Sequence, residues 1–344
     1  MSPVAPGAGT PTGTVSFSDG QTALGTASLT AGAASLSISS VSAGNHSFNA
    51  SYSGDANFSG STAPTYPLTI GKATATVTLG SLSATYDGTP KSATATTVPA
   101  GLTVNFTYNG SATPPTNAGS YAVVATINGT NYQGSASGTL VIAKAASVTA
   151  IISGAPNPSI IGQVVTVTFQ VTAAFGSAVP TGSVTVTSST GEMCGPVALA
   201  SGAGSCSITF TSSGSRTLTA TYSGDSNFLG STSGGVAQPV GDFSITATPS
   251  AQTISSGHQA FYTISLTPIS GLTGSVALTC TGAPPNSSCA VSPVTDNLQG
   301  SPVQSTVTLS ANKNVNHGTF TLTITGTLVG GNLSHSTTVQ LTVK

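Results

Sequence analysis

The sequence predicts an all-β protein made of tandem β-sandwich modules in an elongated array, and three observations carry that prediction. Thr, Val, Ser and Gly dominate, with no run of strong helix formers, the composition of many short strands joined by turns. Residues 164–171, Val-Val-Thr-Val-Thr-Phe-Gln-Val, alternate with the period of a half-buried strand, and similar runs recur along the chain. Finally, Tyr52-Ser53-Gly54-Asp55-Ala56-Asn57-Phe58 returns as Tyr222-Ser223-Gly224-Asp225-Ser226-Asn227-Phe228, and Pro11-Thr12-Gly13-Thr14-Val15 returns as Pro180-Thr181-Gly182-Ser183-Val184. Two shared anchors at matching separations mean that a whole unit is repeated. At 344 residues the chain is too long for one sandwich and fits three or four of about 100 residues each. Low charge with abundant Gly and Ser also describes flexible linkers, but the recurrent alternation argues for folded strands.

The first unit, residues 1–70, carries both anchors. Phe48, Ala50 and Tyr52 fall on one face of a strand, and Ser53-Gly54-Asp55 then supplies a turn. The Pro-Thr-Gly-x-Val opening and the Tyr-Ser-Gly-Asp-x-Asn-Phe close resemble those of the bacterial immunoglobulin-like (Ig-like) repeat family, which implies an Ig-like sandwich for each copy. The first copy reads as incomplete at its N-terminal side. Ahead of Pro180 lie two strand-like stretches, residues 147–153 and 163–172, whereas ahead of Pro11 lie ten residues with two Pro and two Gly, which cannot supply them. Two explanations stand open: the chain is a fragment of a longer protein, or strands of a neighbouring copy complete the unit. In the second case Val15, Phe17, Leu24, Leu36, Ile38, Phe48 and Tyr52 form a solvent-facing acceptor groove. The C-terminal run at residues 338–343 is then a candidate donor.

In residues 71–144 the anchors disappear. Tyr86-Asp87-Gly88-Thr89-Pro90-Lys91, Pro114-Pro115-Thr116-Asn117-Ala118-Gly119-Ser120-Tyr121 and Asn131-Tyr132-Gln133-Gly134 resemble the MBG domain, a β-rich module of large bacterial surface proteins. Asp87-Gly88 and Asn109-Gly110 are turn dipeptides, and residues 121–127 alternate as a strand. Asp87 is expected as a turn aspartate and Lys91 as a solvated lysine, in preference to an acid and base pair.

The second copy, residues 145–239, differs from the first at two informative positions. Aligned on the Tyr-Ser-Gly-Asp close, Cys194 falls on Leu24 and Cys206 on Leu36, as expected when two inward positions touch across a hairpin. Cys280 and Cys289 sit together in the last unit, residues 240–344. Of the three connectivities, only Cys194 with Cys206 and Cys280 with Cys289 keeps each bridge inside one unit. Four thiolates around zinc are the alternative, but closely spaced cysteine pairs are missing. Disulfides imply an oxidising compartment. Strands are expected in the last unit at residues 261–266, 275–279, 304–309, 320–325 and 336–343. Its Gly-Ser-Val-x-Leu-x-Cys and Gly-Thr-Phe-Thr-Leu-Thr-Ile-Thr-Gly patterns resemble β-sandwich repeats of bacterial exported proteins.

Chemistry is sparse in this sequence. Charged residues are 4% and the net charge is −1, which leaves no basic face for nucleic acid. The acids Asp19, Asp55, Asp87, Asp225, Asp242, Asp296 and Glu192 mostly neighbour Gly or Asn, where turns explain them. His46, His258, His317 and His335 are scattered without metal-ligand spacing. Asp55 with Asn57, and Asp225 with Asn227, offer a calcium ion only two side chains per copy, so a hydrogen-bonded turn is the favoured reading. No catalytic set, metal site or cofactor is therefore expected. No apolar run spans a bilayer and no signal peptide precedes residue 20, so the export signal is expected outside this sequence. The leading function is a structural or adhesive segment of a bacterial extracellular or cell-surface protein, whose partners are neighbouring copies of itself or cell-surface and matrix components. The alternative is an accessory, carbohydrate-binding segment of a secreted enzyme, weakened by the lack of Trp and by only eight Tyr.

Overall fold

A computed structural model describes residues 1–5 and 7–344. Every regular element among them is a β-strand. The chain forms two compact units, Met1–Ala143 and Lys144–Lys344, each described by itself below.

In the first unit, the first copy builds one sheet in the order Thr22–Ser28, Thr14–Asp19, Gly44–Tyr52, Ser61–Thr62, with Tyr66–Ile70 also paired to Gly44–Tyr52. Residues 34–38 join no sheet, although they carry the alternating pattern of a strand. The reason lies in the other copy: there the equivalent strand Ala203–Thr209 is hydrogen-bonded to Val164–Ala173, and the first copy has no counterpart of that partner. The acceptor face read from the sequence needs correcting at two positions. Val15 and Tyr52 are buried, not solvent-facing. Tyr52 lies beneath residues 12 and 13 and donates its phenol hydrogen to the Thr12 carbonyl oxygen at 2.7 Å, while Val15 sits with Met1, Leu29 and Ala34.

The MBG-like segment follows within the same unit. A four-stranded sheet runs Val104–Tyr108, Gly119–Ile127, Ser135–Ala143, Ser83–Thr85, and Thr76–Gly80 pairs separately with Thr94–Val98. Its strands bury alternate residues into two clusters, one around Tyr108, Val123, Leu140 and Ile142, the other around Val77, Ala125 and Ile127. Asn109 and Gly110 both take positive φ, at 48° and 85°, the two-residue turn that Asn-Gly favours. Asp87 accepts hydrogen bonds from the backbone and hydroxyl of Thr89. Lys91 is not simply solvated, as the sequence suggested: its ammonium donates to Asp87 and to Thr89 Oγ1. Those donors, Lys91 foremost, hold the Asp87 carboxyl well below the usual carboxylate range.

In the second unit, the second copy is a complete sandwich. Ser147–Ala155, Val164–Ala173 and Ala203–Thr209 form one sheet. Met193–Ala198, Ser183–Ser188, Gly214–Tyr222 and Val236–Thr248 begin another, which continues into Gln259–Ile269, Val303–Ala311 and Ser287–Ser292 of the last segment. Val165, Val167, Phe169 and Val171 face Val184, Val186, Leu218, Ala220 and Tyr222, all essentially inaccessible. Opposite the continued sheet lies Ala251–Ile254, Ser334–Val343, Gly318–Leu328, Thr273–Thr281, Thr295–Gln299, and the two enclose the large core around Phe243, Tyr262, Leu278, Leu298 and Leu322. The strands at Ala251–Ile254, Ser287–Ser292 and Thr295–Gln299 are additional to those expected from alternation, since each is short and interrupted by Ser, Asn or Asp.

The boundary read at residues 239 and 240 falls inside one continuous strand, Val236–Thr248. Gln238 and Val240 point into the first core, whereas Gly241, Phe243 and Ile245 point into the second. Two adjacent buried positions, Val240 and Gly241, shift the period-two alternation by one residue, so a single strand serves both sandwiches. A side chain at Gly241 would lie 3.1 Å from Leu272 Cβ, which explains why the smallest residue stands at the switch.

Cys194 is joined to Cys206 and Cys280 to Cys289, with Cα separations of 5.8 and 6.0 Å. In each pair the two strands follow one another in sequence but belong to different sheets. The bridges therefore tie sheet to sheet and do not span a hydrogen-bonded hairpin, a correction to the reading from the repeat alignment. Each closes a short loop, with separations of 12 and 9 residues. Replacing Cys194 and Cys206 together by Ala is expected to destabilise the second copy by roughly 2 to 3 kcal/mol from chain entropy, measured by urea unfolding of the oxidised protein against the double variant.

Candidate functional site

The two repeated motifs meet in space. In the first copy, Asp55 Oδ2 accepts hydrogen bonds from the Thr12 backbone N–H at 2.7 Å and the Thr12 hydroxyl at 2.9 Å. Its Oδ1 accepts the backbone N–H groups of Asn57 and Phe58, both at 2.8 Å. The second copy repeats the arrangement atom for atom. Asp225 accepts the Thr181 backbone and hydroxyl at 2.7 Å each, and the Asn227 and Phe228 N–H groups at 2.8 Å each. One carboxylate thus closes its own turn and clamps the opening of the same module, which is why the Pro-Thr-Gly and Tyr-Ser-Gly-Asp motifs travel together. Gly54 and Gly224 take φ of +86° and +82°, and a Cβ on either would come within 2.9 Å of the carbonyl oxygen of Phe58 or Phe228. Only glycine fits there.

The electrostatics follow from these donors. Asp55 is held well below the usual carboxylate range, first by the Thr12 N–H and then by that of Asn57, with Thr12's hydroxyl and the Phe58 N–H adding to them. For Asp225, burial is the largest single influence and pushes the carboxyl up, but the donors from Thr181, Asn227 and Phe228 together outweigh it and the net shift is downward. Burial first, and then the neighbouring carboxylate, raises the phenols of Tyr52 and Tyr222. Both oxygens of each aspartate already receive two donors, so the geometry is that of the hydrogen-bonded turn favoured from the sequence. Among the described residues, no group of three or more His, Cys, Asp or Glu is placed to hold a metal ion.

A second charged pair differs between the copies. His46 Nδ1 meets Asp19 Oδ2, and Asp19 Oδ1 accepts the Ser47 N–H at 2.8 Å. The Asp19 hydrogen bond, with help from the Ser42 carbonyl, raises the His46 pKa above 6.5; the same His46 contact, with the Ser47 N–H, lowers that of Asp19. Arg216 stands at the matching position of the second copy, over the Phe210 ring at 5.9 Å and donating to the carbonyl and hydroxyl of Ser212. His335 and Asp242 form a further pair at 2.7 Å. The remaining residues read as an acceptor face, Phe17, Leu24, Leu36, Ile38 and Phe48, do come together around an open cavity of about 230 Å³ in the first copy. Sequence reasoning missed the Thr12 and Thr181 contacts to Asp55 and Asp225. The signal was present in the co-occurrence of the two motifs in both copies.

Sandwiches, sheet-to-sheet disulfides and a repeated clamp define a class of tandem Ig-like modules. Residues 2–71 and 152–241 match the family model of the bacterial Ig-like domain (group 3), and residues 75–146 match that of the MBG domain. Two bacterial Ig-like domains therefore flank an MBG domain in this chain. No curated protein matches it. Similar solved structures include domains 1–6 of the surface layer protein SbsC, at 17% identity over 97% of this chain and 51% of that one, with a TM-score of 0.25. Escherichia coli alpha-2-macroglobulin is similar at 10% identity over 87% of this chain and 35% of that one, with a TM-score of 0.29. Invasin, a bacterial integrin-binding protein, is similar at 19% identity over 79% and 60%, with a TM-score of 0.37. The chain spans about half or less of the first two and 60% of the third. These TM-scores are too low to relate the arrangement of its domains to theirs.

Two outcomes are expected. Asp225→Ala leaves three backbone or hydroxyl donor groups without their acceptor and is expected to cost roughly 1 to 3 kcal/mol, read by chemical denaturation. The lowered carboxyl pKa makes this contribution complete above the ordinary value of 3.8 and lost as pH falls through the folded value. For His46 the sign is opposite. Its raised pKa makes the contribution complete below 6.5 and lost as pH rises through the folded value. Hydrogen exchange at residues 44–52 is therefore expected to accelerate from pH 6 to pH 9, after correction for intrinsic rates. Residues 214–222, held by an arginine that stays charged, are expected to show no such change.

Proposed function

We propose that the chain is a stiff structural or adhesive segment of a bacterial extracellular or cell-surface protein, spacing or presenting other parts of that protein and performing no catalysis itself. The observation that carries this reading is the single strand Val236–Thr248, which contributes to two cores without an intervening linker. Domains joined by exposed flexible linkers move independently by default; here a hinge would require breaking ladder hydrogen bonds on both sides of Gly241. Ser159–Ile160 adds a parallel pairing to Val240 and Gly241, and Ile160 packs against the core of the last segment. Sheet-to-sheet disulfides suit an oxidising exterior, and the family models and the surface-layer and integrin-binding names of similar structures accord with a surface location.

The test is a flexible insertion of six Gly and Ser residues between Val240 and Gly241 in the full chain. In the parent, ¹⁵N relaxation is expected to give one rotational correlation time for residues 145–239 and 242–344; in the insertion variant the two values separate. Independent tumbling in the parent overturns the proposal. So does reproducible turnover of polysaccharides, peptides or esters that is lost on replacing Glu192 or one of the aspartates. Selective binding on a glycan array, lost on replacing the exposed Tyr66, Phe175 or Phe261, would instead favour the carbohydrate-binding accessory segment.

A further inference from the structure

The second copy displays what the exposed face of the first is shaped to hold. In the second, Val165, Val167, Phe169 and Val171 of the strand Val164–Ala173 are at most 1% exposed. That strand runs antiparallel to Ala203–Thr209, with Val165 opposite Ile208 and Val167 opposite Cys206. The first copy retains the accepting half of this pairing nearly letter for letter: residues 33–39 are Ala-Ala-Ser-Leu-Ser-Ile-Ser, and residues 203–209 are Ala-Gly-Ser-Cys-Ser-Ile-Thr. Yet Ile38 is 41% exposed where Ile208 is 3% exposed, and residues 34–38 join no sheet. Phe17, Leu24, Leu36, Ile38 and Phe48 line the cavity beside them, and no charged residue is among its lining.

We propose that this face is a strand-acceptor site that takes, in trans, an extended segment of a separate polypeptide running antiparallel to residues 33–39. The occupant's chemistry follows from the strand that fills the same place in the second copy. It presents large apolar residues at alternate positions, uncharged polar residues between them, and a backbone free to pair on one edge. An ionised side chain pointing inward would be buried among apolar groups without a partner, so charged alternation is excluded. The occupant is not a strand of this chain. Ser334–Val343, which includes the donor candidate read from the sequence, is hydrogen-bonded along one edge to Gly318–Leu328 and on the other to Ala251–Ile254, and Val164–Ala173 is held between Ser147–Ala155 and Ala203–Thr209. This inference stands independently of the stiff-segment reading.

A fluorescent synthetic peptide with the sequence of residues 162–174 serves as the probe, titrated into the full chain. Saturable one-to-one binding is expected, with new hydrogen-exchange protection at residues 33–39. The peptide variant Val167→Asp is expected to bind at least tenfold more weakly, and so is the parent peptide to the chain variant Ile38→Asp. The peptide variant needs no refolding of the chain, and Ile38 is exposed enough to be replaced without unfolding it. The proposal is overturned if a monodisperse chain binds no peptide, if protection appears elsewhere, or if both Asp variants bind as tightly as the parents. Self-association of the full chain that Ile38→Asp abolishes would make the occupant a second copy and overturn the separate partner. If protein isolated from its natural source refuses the peptide while residues 1–344 accept it, the face is filled in cis and the proposal likewise fails.

Discussion

A single carboxylate in each Ig-like copy connects parts of the chain that lie more than forty residues apart. Four N–H and O–H groups converge on Asp55 and four on Asp225, and the positive-φ glycine before each aspartate brings its backbone into place. The two motifs are halves of one interaction, so neither half would be maintained by local structure alone. Because the acceptor is charged, each bond is stronger than its neutral counterpart. That matters in a chain with only 4% charged residues, where few other electrostatic contacts fix where the strands begin.

Around that clamp the two copies diverge in how their faces are closed. The second has a complete pair of sheets joined by Cys194 and Cys206; the first has Leu24 and Leu36 in their place, both lining the open cavity. The pair that a disulfide fixes covalently in one copy is left to hydrophobic contact in the other. A similar exchange separates His46 with Asp19 from Arg216 with Ser212 and Phe210. One copy holds its central strand with a titratable cation and the other with a permanent one, so the two respond differently to pH although their backbones follow the same plan.

The joint between the sandwiches of the second unit rests on a geometric point. Side chains on a strand alternate strictly, so one strand can serve two cores on opposite sides only where the alternation slips by a residue. Val240 and Gly241 are the slip, and Leu272 occupies the space that a larger residue at 241 would need. With that arrangement the ladder continues unbroken from Gly214–Tyr222 through Val236–Thr248 to Gln259–Ile269.

By itself the sequence determined the all-β class, the repeated module and the identity of the clamp residues, because period-two alternation, turn glycines and motif recurrence are local or pairwise signals. It also pointed to both cysteine pairs, since Leu24 and Leu36 mark positions that face a common interior. Only the tertiary structure decided that each bridge runs between sheets, because adjacency in sequence does not say whether neighbouring strands pair or oppose. The same holds for the shared strand: a slip in alternation at Val240 and Gly241 resembles a boundary until the second core is seen to begin on the other face. It holds too for Val15 and Tyr52, whose burial depends on chain folded back over them from residues 1–13, a long-range contact that no periodicity encodes.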